Sequence, residues 1–158
     1  MRVIYCLSVF IFLLCGCINT NTDSKSKSEL EEKLYPLSKE DTELNLDTLQ
    51  EYAPDFNGYV YIMNSDCSSC IAEFLSFAKE LAESEYNGDL LVIISNATQP
   101  IINHYIKQYD FYKKINILLS ENKQRKWGIK SVEEMNGMVY VIEQSQIKSV
   151  YQYFPECI

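Results

Sequence analysis

The sequence predicts an α/β fold in which a central mixed sheet of about five strands is covered by helices on both faces. Two short apolar runs rich in β-branched and aromatic residues, 59–63 and 89–95, flank a segment with helical periodicity. Strands that alternate with helices of ten or more residues are typical of a parallel sheet covered on both faces. Two further apolar runs near the carboxyl terminus predict a hairpin, which adds an antiparallel edge to this three-layer arrangement.

The elements follow one another from residue 58. After strand 59–63, apolar residues recur at three- and four-residue intervals from 71 to 82, which predicts a helix that ends near Asn87-Gly88. Strand 89–95, helix 99–114, strand 115–119 and a short helical turn at 122–129 come next. Pro100 falls in the first turn of its helix, where proline is tolerated. The hairpin is expected to pair residues 138–142 with 147–151 around 144–146.

The length of 158 residues suits one domain plus a targeting segment. We expect the domain to cover 58–158, after a lead-in segment, 36–57, that contains a short helix at 46–52. Residues 17–35 are mostly polar and rich in Ser, Thr, Asn and Lys, which predicts a flexible tether.

The charge balance excludes one class of partner. The formal net charge is −8, and no basic stripe runs along the sequence. Nucleic-acid binding depends on an extended basic surface of Lys and Arg, so we do not expect a nucleic-acid partner.

Residues 1–16 have the pattern of a secretory signal. Arg2 precedes an apolar run of twelve residues, 3–14, which is shorter than the roughly 20 residues that a membrane-spanning helix needs. The following residues, Leu14-Cys15-Gly16-Cys17, resemble a bacterial lipobox, which implies cleavage before Cys17 and acylation of its thiol. This resemblance predicts a lipid-anchored protein of the bacterial cell envelope whose domain is extracytoplasmic and periplasmic. The alternatives are an uncleaved helix or an ordinary signal peptide.

The pair Cys67 and Cys70 carries the main chemical prediction. Two residues separate these cysteines, and the pair lies between the first predicted strand and its helix. Unpaired N–H groups and the macrodipole at a helix start favour a thiolate, which is the nucleophile in disulfide exchange. A zinc site would need two more ligands, and only His104 and Cys157 remain outside the leader. A purely structural disulfide gains little from so short a loop. The pattern therefore favours a redox-active dithiol.

The order of elements, with a Cys pair between the first strand and its helix, resembles the thioredoxin fold and more narrowly the TlpA-like (redoxin) proteins. Lys126-Trp127-Gly128-Ile129 and the hairpin at 142–147 match segments of that family, and the resemblance covers roughly residues 58–154. It implies that Cys67 attacks and Cys70 resolves, without a cofactor or metal. The implied partners are thiols and disulfides of exported proteins and an electron donor, while an acylated Cys17 would contact the membrane.

The chain departs from the family at three places. Asn136-Gly137-Met138 stands where the family has a cis-proline, so Gly137 and Met138 become candidates for tuning the site. Asp66 replaces a Trp, and Tyr61 replaces a buried acid. As a charge at roughly 6 Å, Asp66 would oppose the thiolate by about 0.7–1.4 kcal/mol at a dielectric constant of about 40–80. The helix start favours the thiolate by about 0.3–1 kcal/mol, so the two effects nearly cancel. We therefore expect the pKa of Cys67 to be close to that of an ordinary thiol, and the disulfide to be reducing rather than strongly oxidising. Alternatively, Asp66 is the N-cap of the helix.

Two functions follow from these observations. The first is a membrane-anchored extracytoplasmic thiol–disulfide oxidoreductase that acts through the Cys67/Cys70 dithiol. The alternative is a redox-weak thioredoxin-fold lipoprotein that serves as a binding or assembly module. The intact dithiol favours the first function, and the missing proline favours the second.

Overall fold

Six strands and three α-helices account for most of the regular structure that the computed structural model describes, which comprises residues 29–39, 43–84, 86–95, 99–121, 126–129, 131–132 and 134–155. The strands are β1 (Leu34–Pro36), β2 (Gly58–Met63), β3 (Asp89–Ile94), β4 (Asn116–Glu121), β5 (Met138–Glu143) and β6 (Gln146–Tyr153). The helices are α1 (Leu46–Tyr52), α2 (Ser68–Glu83) and α3 (Gln99–Lys107), and a 3-10 helix covers Asp110–Lys113.

The six strands form one mixed sheet in the order β1-β6-β5-β2-β3-β4. Strand β3 pairs in parallel with both β2 and β4, whereas β5 pairs antiparallel with β2 and with β6. The prediction of a mixed sheet flanked by helices is therefore confirmed. The sheet has six strands rather than about five because β1 adds to β6, so the terminal hairpin does not form the sheet edge. A three-residue strand that contains a proline has little signal in a sequence, and proline is compatible with an edge position.

The amino-terminal boundary of the domain also differs from the prediction. Residues 29–32 are helical, and Leu30 is 4% exposed in the same core cluster as α2. Lys33 forms an ion pair with Glu80 of α2, with 2.9 Å between Nζ and Oε1. The predicted tether 17–35 is therefore too long, since residues 29–35 pack into the fold. The polar composition of the segment does not show this, because the segment is held by one buried leucine, one long-range ion pair and the pairing of β1 with β6.

Both faces of the sheet are buried, and alternate residues of each central strand supply the two cores. In β2, Tyr61 and Met63 belong to the cluster that includes α2, whereas Val60 and Ile62 belong to the cluster that includes Leu49 of α1. This two-residue alternation with no polar face explains the continuous apolar runs of β2 and β3.

Helix α2 forms because its buried residues recur on one face. Phe74, Phe77, Ala78 and Leu81 are at most 1% exposed. Full burial of a side chain as large as Phe contributes roughly 1.5–3 kcal/mol relative to exposure, so this face fixes the helix against the sheet. The helix ends at Ser84, whose N–H donates to the Glu80 carbonyl. Its start, which carries the two cysteines, is thereby held at a defined position.

Two predicted boundaries were wrong at the second helix and at the hairpin. Helix α3 ends at Lys107 rather than at residue 114, since the N–H groups of Gln108 and Tyr109 donate to carbonyls three residues earlier. No glycine or proline marks this end in the sequence. The hairpin is longer than expected and closes through Gln144 and Ser145 alone, both with positive φ, as in a two-residue type I′ turn.

Among the described residues, no helix is both long and apolar enough to cross a bilayer. The leader 1–16 and Cys17 lie outside the described residues.

Candidate functional site

Cys67 and Cys70 meet at the carboxyl end of β2, where the chain turns into α2. A disulfide joins their sulfur atoms, and their Cα atoms are 5.2 Å apart. Cys67 is partly exposed, whereas Cys70 is 9% exposed and lies within the first turn of the helix. An incoming sulfur therefore has easier access to Cys67 than to Cys70.

The sulfur of Cys67 takes part in the start of α2. Cys67 is the N-cap residue, and its Sγ accepts a hydrogen bond from the Cys70 N–H at 3.3 Å. The Ser69 hydroxyl lies 3.0 Å from the same sulfur. These donors and the helix dipole favour negative charge on the Cys67 sulfur in the reduced form, whereas the neighbouring Asp66 carboxylate opposes it.

Asp66 is exposed and precedes this N-cap, so the alternative that made Asp66 the N-cap is wrong. Its N–H donates to the Asn64 side-chain oxygen at 3.1 Å, which forms a tight turn immediately before the dithiol. Asp66 is therefore an exposed residue of the turn that precedes Cys67.

Asn136 is hydrogen-bonded to both ends of the dithiol segment, residues 64–73. Its Oδ1 accepts from the Asn64 N–H at 2.9 Å, and its Nδ2 donates to Glu73 Oε2 at 3.0 Å. Asn64 lies three residues before Cys67, and Glu73 lies three residues after Cys70, about one turn along α2. One amide side chain thus ties the end of β2 to the first half of the helix.

Gly137 lies against the end of β2. Its N–H donates to the Ile62 carbonyl at 2.9 Å, and its carbonyl accepts from the Tyr153 N–H at 2.9 Å. Its φ is +79°, a conformation that favours glycine. No cis peptide bond occurs among the described residues. Met138 instead places its side chain in the core cluster that includes Val60 and Ile62.

A small polar network lies at the carboxyl ends of β2 and β3. The Ser95 hydroxyl accepts from the Ser65 N–H at 3.0 Å and donates to Asn64 Oδ1 at 3.2 Å. Sequence reasoning missed this network and also missed Asn136. A signal was available, because polar residues directly after two buried parallel strands mark the edge where sites form in α/β proteins.

Tyr61 and Glu73 are the two side chains to consider as proton acceptors for Cys70. Tyr61 is fully buried, and its hydroxyl has no hydrogen-bond partner among the residues that the structure describes. Burial raises the pKa of Tyr61, and the charge of Glu73 acts in the same direction. Tyr61 therefore stays neutral and does not accept a proton. The half-buried carboxylate of Glu73, which the sequence reasoning overlooked, is the acid nearest along the helix to Cys70, and the three-residue spacing could have revealed it.

His104 and Cys157 were two further candidates in the sequence. His104 is exposed on α3, and Cys157 lies outside the described residues. Within the described part of the chain, no three His, Cys, Asp or Glu side chains are grouped so that they could hold a metal ion.

Comparisons with known proteins add no identification. No protein-family model matches the chain, and neither a curated protein nor a solved structure matches it.

Proposed function

We propose that the protein is a membrane-anchored extracytoplasmic thiol–disulfide oxidoreductase whose active dithiol is Cys67 and Cys70. The observation that carries this proposal is the unequal exposure of two disulfide-bonded cysteines at a helix start. Cys67 is partly exposed, and its Sγ accepts a hydrogen bond from the Cys70 N–H, whereas Cys70 is buried. An accessible nucleophile with a shielded partner one turn away is the arrangement that stepwise disulfide exchange requires.

The topology around the dithiol supports a thioredoxin-like domain. The parallel pair β2 and β3 is joined through α2, the antiparallel strands β5 and β6 follow, and the cysteines lie between β2 and α2. This is the order of elements that the family resemblance implies. The additional strands β1 and β4 extend this four-stranded core at its two edges.

The reaction proceeds in two exchanges. The Cys67 thiolate attacks one sulfur of a substrate disulfide, so that a Cys67–substrate disulfide forms and the other substrate sulfur leaves as a thiolate. The Cys70 thiolate then attacks the Cys67 sulfur and releases the second substrate thiolate. The substrate gains two electrons and two protons, and the protein is left with the Cys67–Cys70 disulfide. A dithiol of a second exported redox protein returns the electrons by the reverse steps.

Proton removal from Cys70 is assigned to Glu73 in this scheme. The Glu73 carboxylate is half-buried on the same helix about one turn beyond Cys70, and Asn136 holds it by a hydrogen bond. A water molecule between the two side chains would let the carboxylate receive the Cys70 proton before the second exchange.

One observation favours the alternative, a redox-weak binding module. The Asn136 carbonyl accepts from the Gln152 side chain at 2.8 Å, and both backbone groups of Gly137 are bonded within the protein. An extended substrate chain beside the dithiol would have to displace the Gln152 amide to reach that carbonyl. Such a site would exchange disulfides more slowly than one with free backbone groups.

An insulin-reduction assay separates the two functions. The full-length chain in detergent micelles is supplied with dithiothreitol, and precipitation of the reduced insulin chain is followed by turbidity. The wild type and the matched control Cys157→Ser should accelerate precipitation, whereas Cys67→Ser should fall to the rate of dithiothreitol alone. Equal rates for the wild type and Cys67→Ser would refute the oxidoreductase and leave the binding module.

The membrane anchor is a separate part of the proposal. The lipobox-like residues 14–17 support acylation of Cys17, which would hold the domain at a membrane surface through more than one acyl chain. Metabolic labelling with a radioactive fatty acid should mark the wild type but not Cys17→Ala. Labelling of both proteins, or of neither, would contradict the anchor without affecting the redox assay.

A further inference from the structure

A cavity of about 510 Å³ lies at the end of the parallel strands that is opposite to the dithiol. Its wall includes the end of α3, the end of the 3-10 helix and the first residues of β4, Asn116 and Ile117. Since β3 and β4 run parallel to β2, the cavity lies beside their amino ends, whereas Cys67 follows the carboxyl end of β2. Volumes of this size are common for small-molecule sites.

The charge of this cavity is opposite to that of the whole chain. Lys107, Lys113 and Lys114 line it, and none of its described lining residues is acidic. These are three of only fourteen Lys and Arg residues in a chain with a net charge of −8. Lys113 is paired with Asp110, with 3.0 Å between Nζ and Oδ1. Lys107 and Lys114 form no ion pair among the described residues, and Lys114 also lines a second cavity together with Glu83 and Asp110.

The uncharged lining suits a ligand with a polar head and an apolar body. Asn103 lies four residues before Lys107 on α3, so the amide and the ammonium share one helix face. Ile106 and Ile115, which are 6% and 3% exposed, reach the cavity from the core. Asn116 donates to Asp89 at 2.7 Å, so one carboxylate lies against this wall and offsets part of the lysine charge.

We propose that this cavity binds a small organic dianion with a compact apolar portion, of which a phosphate monoester is the type. The ammonium groups of Lys107 and Lys114 can bind the two negative charges that a phosphate monoester carries above its second pKa of about 6. Lysine and asparagine side chains supply N–H donors for the phosphate oxygens, and the two isoleucines contact the apolar portion.

A titration followed by amide NMR tests this site, with phenyl phosphate as the probe and the full-length chain in detergent micelles. The amides of Asn116, Ile117 and Lys107 should shift with a saturable dependence, and neutral benzyl alcohol should leave them unchanged. The double variant Lys107→Gln/Lys114→Gln should raise the dissociation constant for phenyl phosphate by about tenfold or more. The matched control Lys126→Gln/Lys148→Gln removes two exposed lysines from elsewhere and should keep wild-type affinity.

Two further measurements keep the test decisive. Lys107 lies at the carboxyl end of α3, where a cation also stabilises the helix, so thermal unfolding must show that the double variant remains folded at the titration temperature. If that variant unfolds, the wild type alone still tests the proposal, because binding should weaken below about pH 6, where the ligand loses its second charge. Equal affinity for both double variants, or binding to phosphatidylglycerol vesicles without binding to phenyl phosphate, would overturn the proposal.

Discussion

Replacing Asn136 with alanine tests whether one amide holds the dithiol segment in place. The substitution removes the acceptor of the Asn64 N–H and the donor to Glu73, which are bonded at 2.9 and 3.0 Å. Both bonds are partly buried, so water replaces them only in part. The change leaves the disulfide itself untouched, because Asn136 is not bonded to either cysteine.

The expected loss of stability follows from these two bonds. A neutral hydrogen bond contributes about 0.5–1.5 kcal/mol net, and one to a charged group contributes about 1.5–3 kcal/mol. Allowing for partial exposure, Asn136→Ala should lower the free energy of unfolding by about 2 kcal/mol, at the lower end of that sum. For a domain of this size the melting temperature should fall by roughly 4–8 °C.

Urea unfolding followed by circular dichroism measures the global effect, and amide hydrogen exchange measures the local one. The Asn64 amide should exchange about tenfold faster in Asn136→Ala, since it loses its acceptor. Asn57→Ala is the matched control, because Asn57 is exposed and its removal should change stability by less than about 0.5 kcal/mol. If Asn136→Ala behaves like this control in both measurements, the proposed link between β2 and α2 is wrong.

Asn136→Asp separates the two bonds. It retains an oxygen for the Asn64 N–H but places a second oxygen against Glu73, where the structure has a donor. Two carboxyl groups this close ionise less readily in the folded state than in the unfolded chain. The folded state then binds more protons, so the stability of this variant should fall as the pH rises from about 4 to 7. If the stability of Asn136→Asp depended on pH in the same way as the stability of the wild type, the contact with Glu73 would be contradicted.

Three further predictions concern the core and the backbone. Tyr61→Phe should raise the free energy of unfolding, measured in urea, by about 1 kcal/mol, since it removes a buried hydroxyl that has no partner among the described residues. A loss of stability would show that this hydroxyl is bonded. Gly128→Ala should lower the melting temperature more than Gly137→Ala. Both glycines have positive φ, but the new methyl meets the Glu43 backbone carbonyl in the first case and the flexible end of a glutamine in the second. Equal losses would contradict this. Burial, aided by the charge of Glu43, raises the pKa of Tyr140 to about 12. The folded state then keeps a proton that the unfolded chain releases near pH 10, so this contribution is complete below pH 10 and is lost as the pH rises to 12. Urea titrations from pH 9 to 12 should show a smaller fall for Tyr140→Phe.

Local pattern was sufficient for the elements that carry the dithiol. Strands β2 and β3 are continuous apolar runs, and α2 has a clear helical period, so their existence and order were predictable. Burial on both faces of a parallel sheet produces such runs directly, without information from distant residues. The short helix α1 also lies where the sequence placed it, at Leu46–Tyr52.

Boundaries set by single hydrogen bonds were not predictable. The end of α3 depends on bonds between neighbouring residues in a stretch without glycine or proline, and β1 exists because Leu34–Pro36 pairs with residues 151–153. A three-residue strand is too short to carry a periodic signal. Its stability comes from the partner strand, more than 110 residues away in the chain.

The sequence by itself therefore determined the layered α/β order and the position of the two cysteines between a strand and its helix. Only the tertiary structure decided which residues surround that pair. Asn136 reaches Asn64 across 72 residues and Glu73 across 63, and the lysine-lined cavity forms where α3, the 3-10 helix and β4 converge. Periodicity reports which face of an element is buried, but contacts between distant elements depend on how those faces pack, which no local pattern contains.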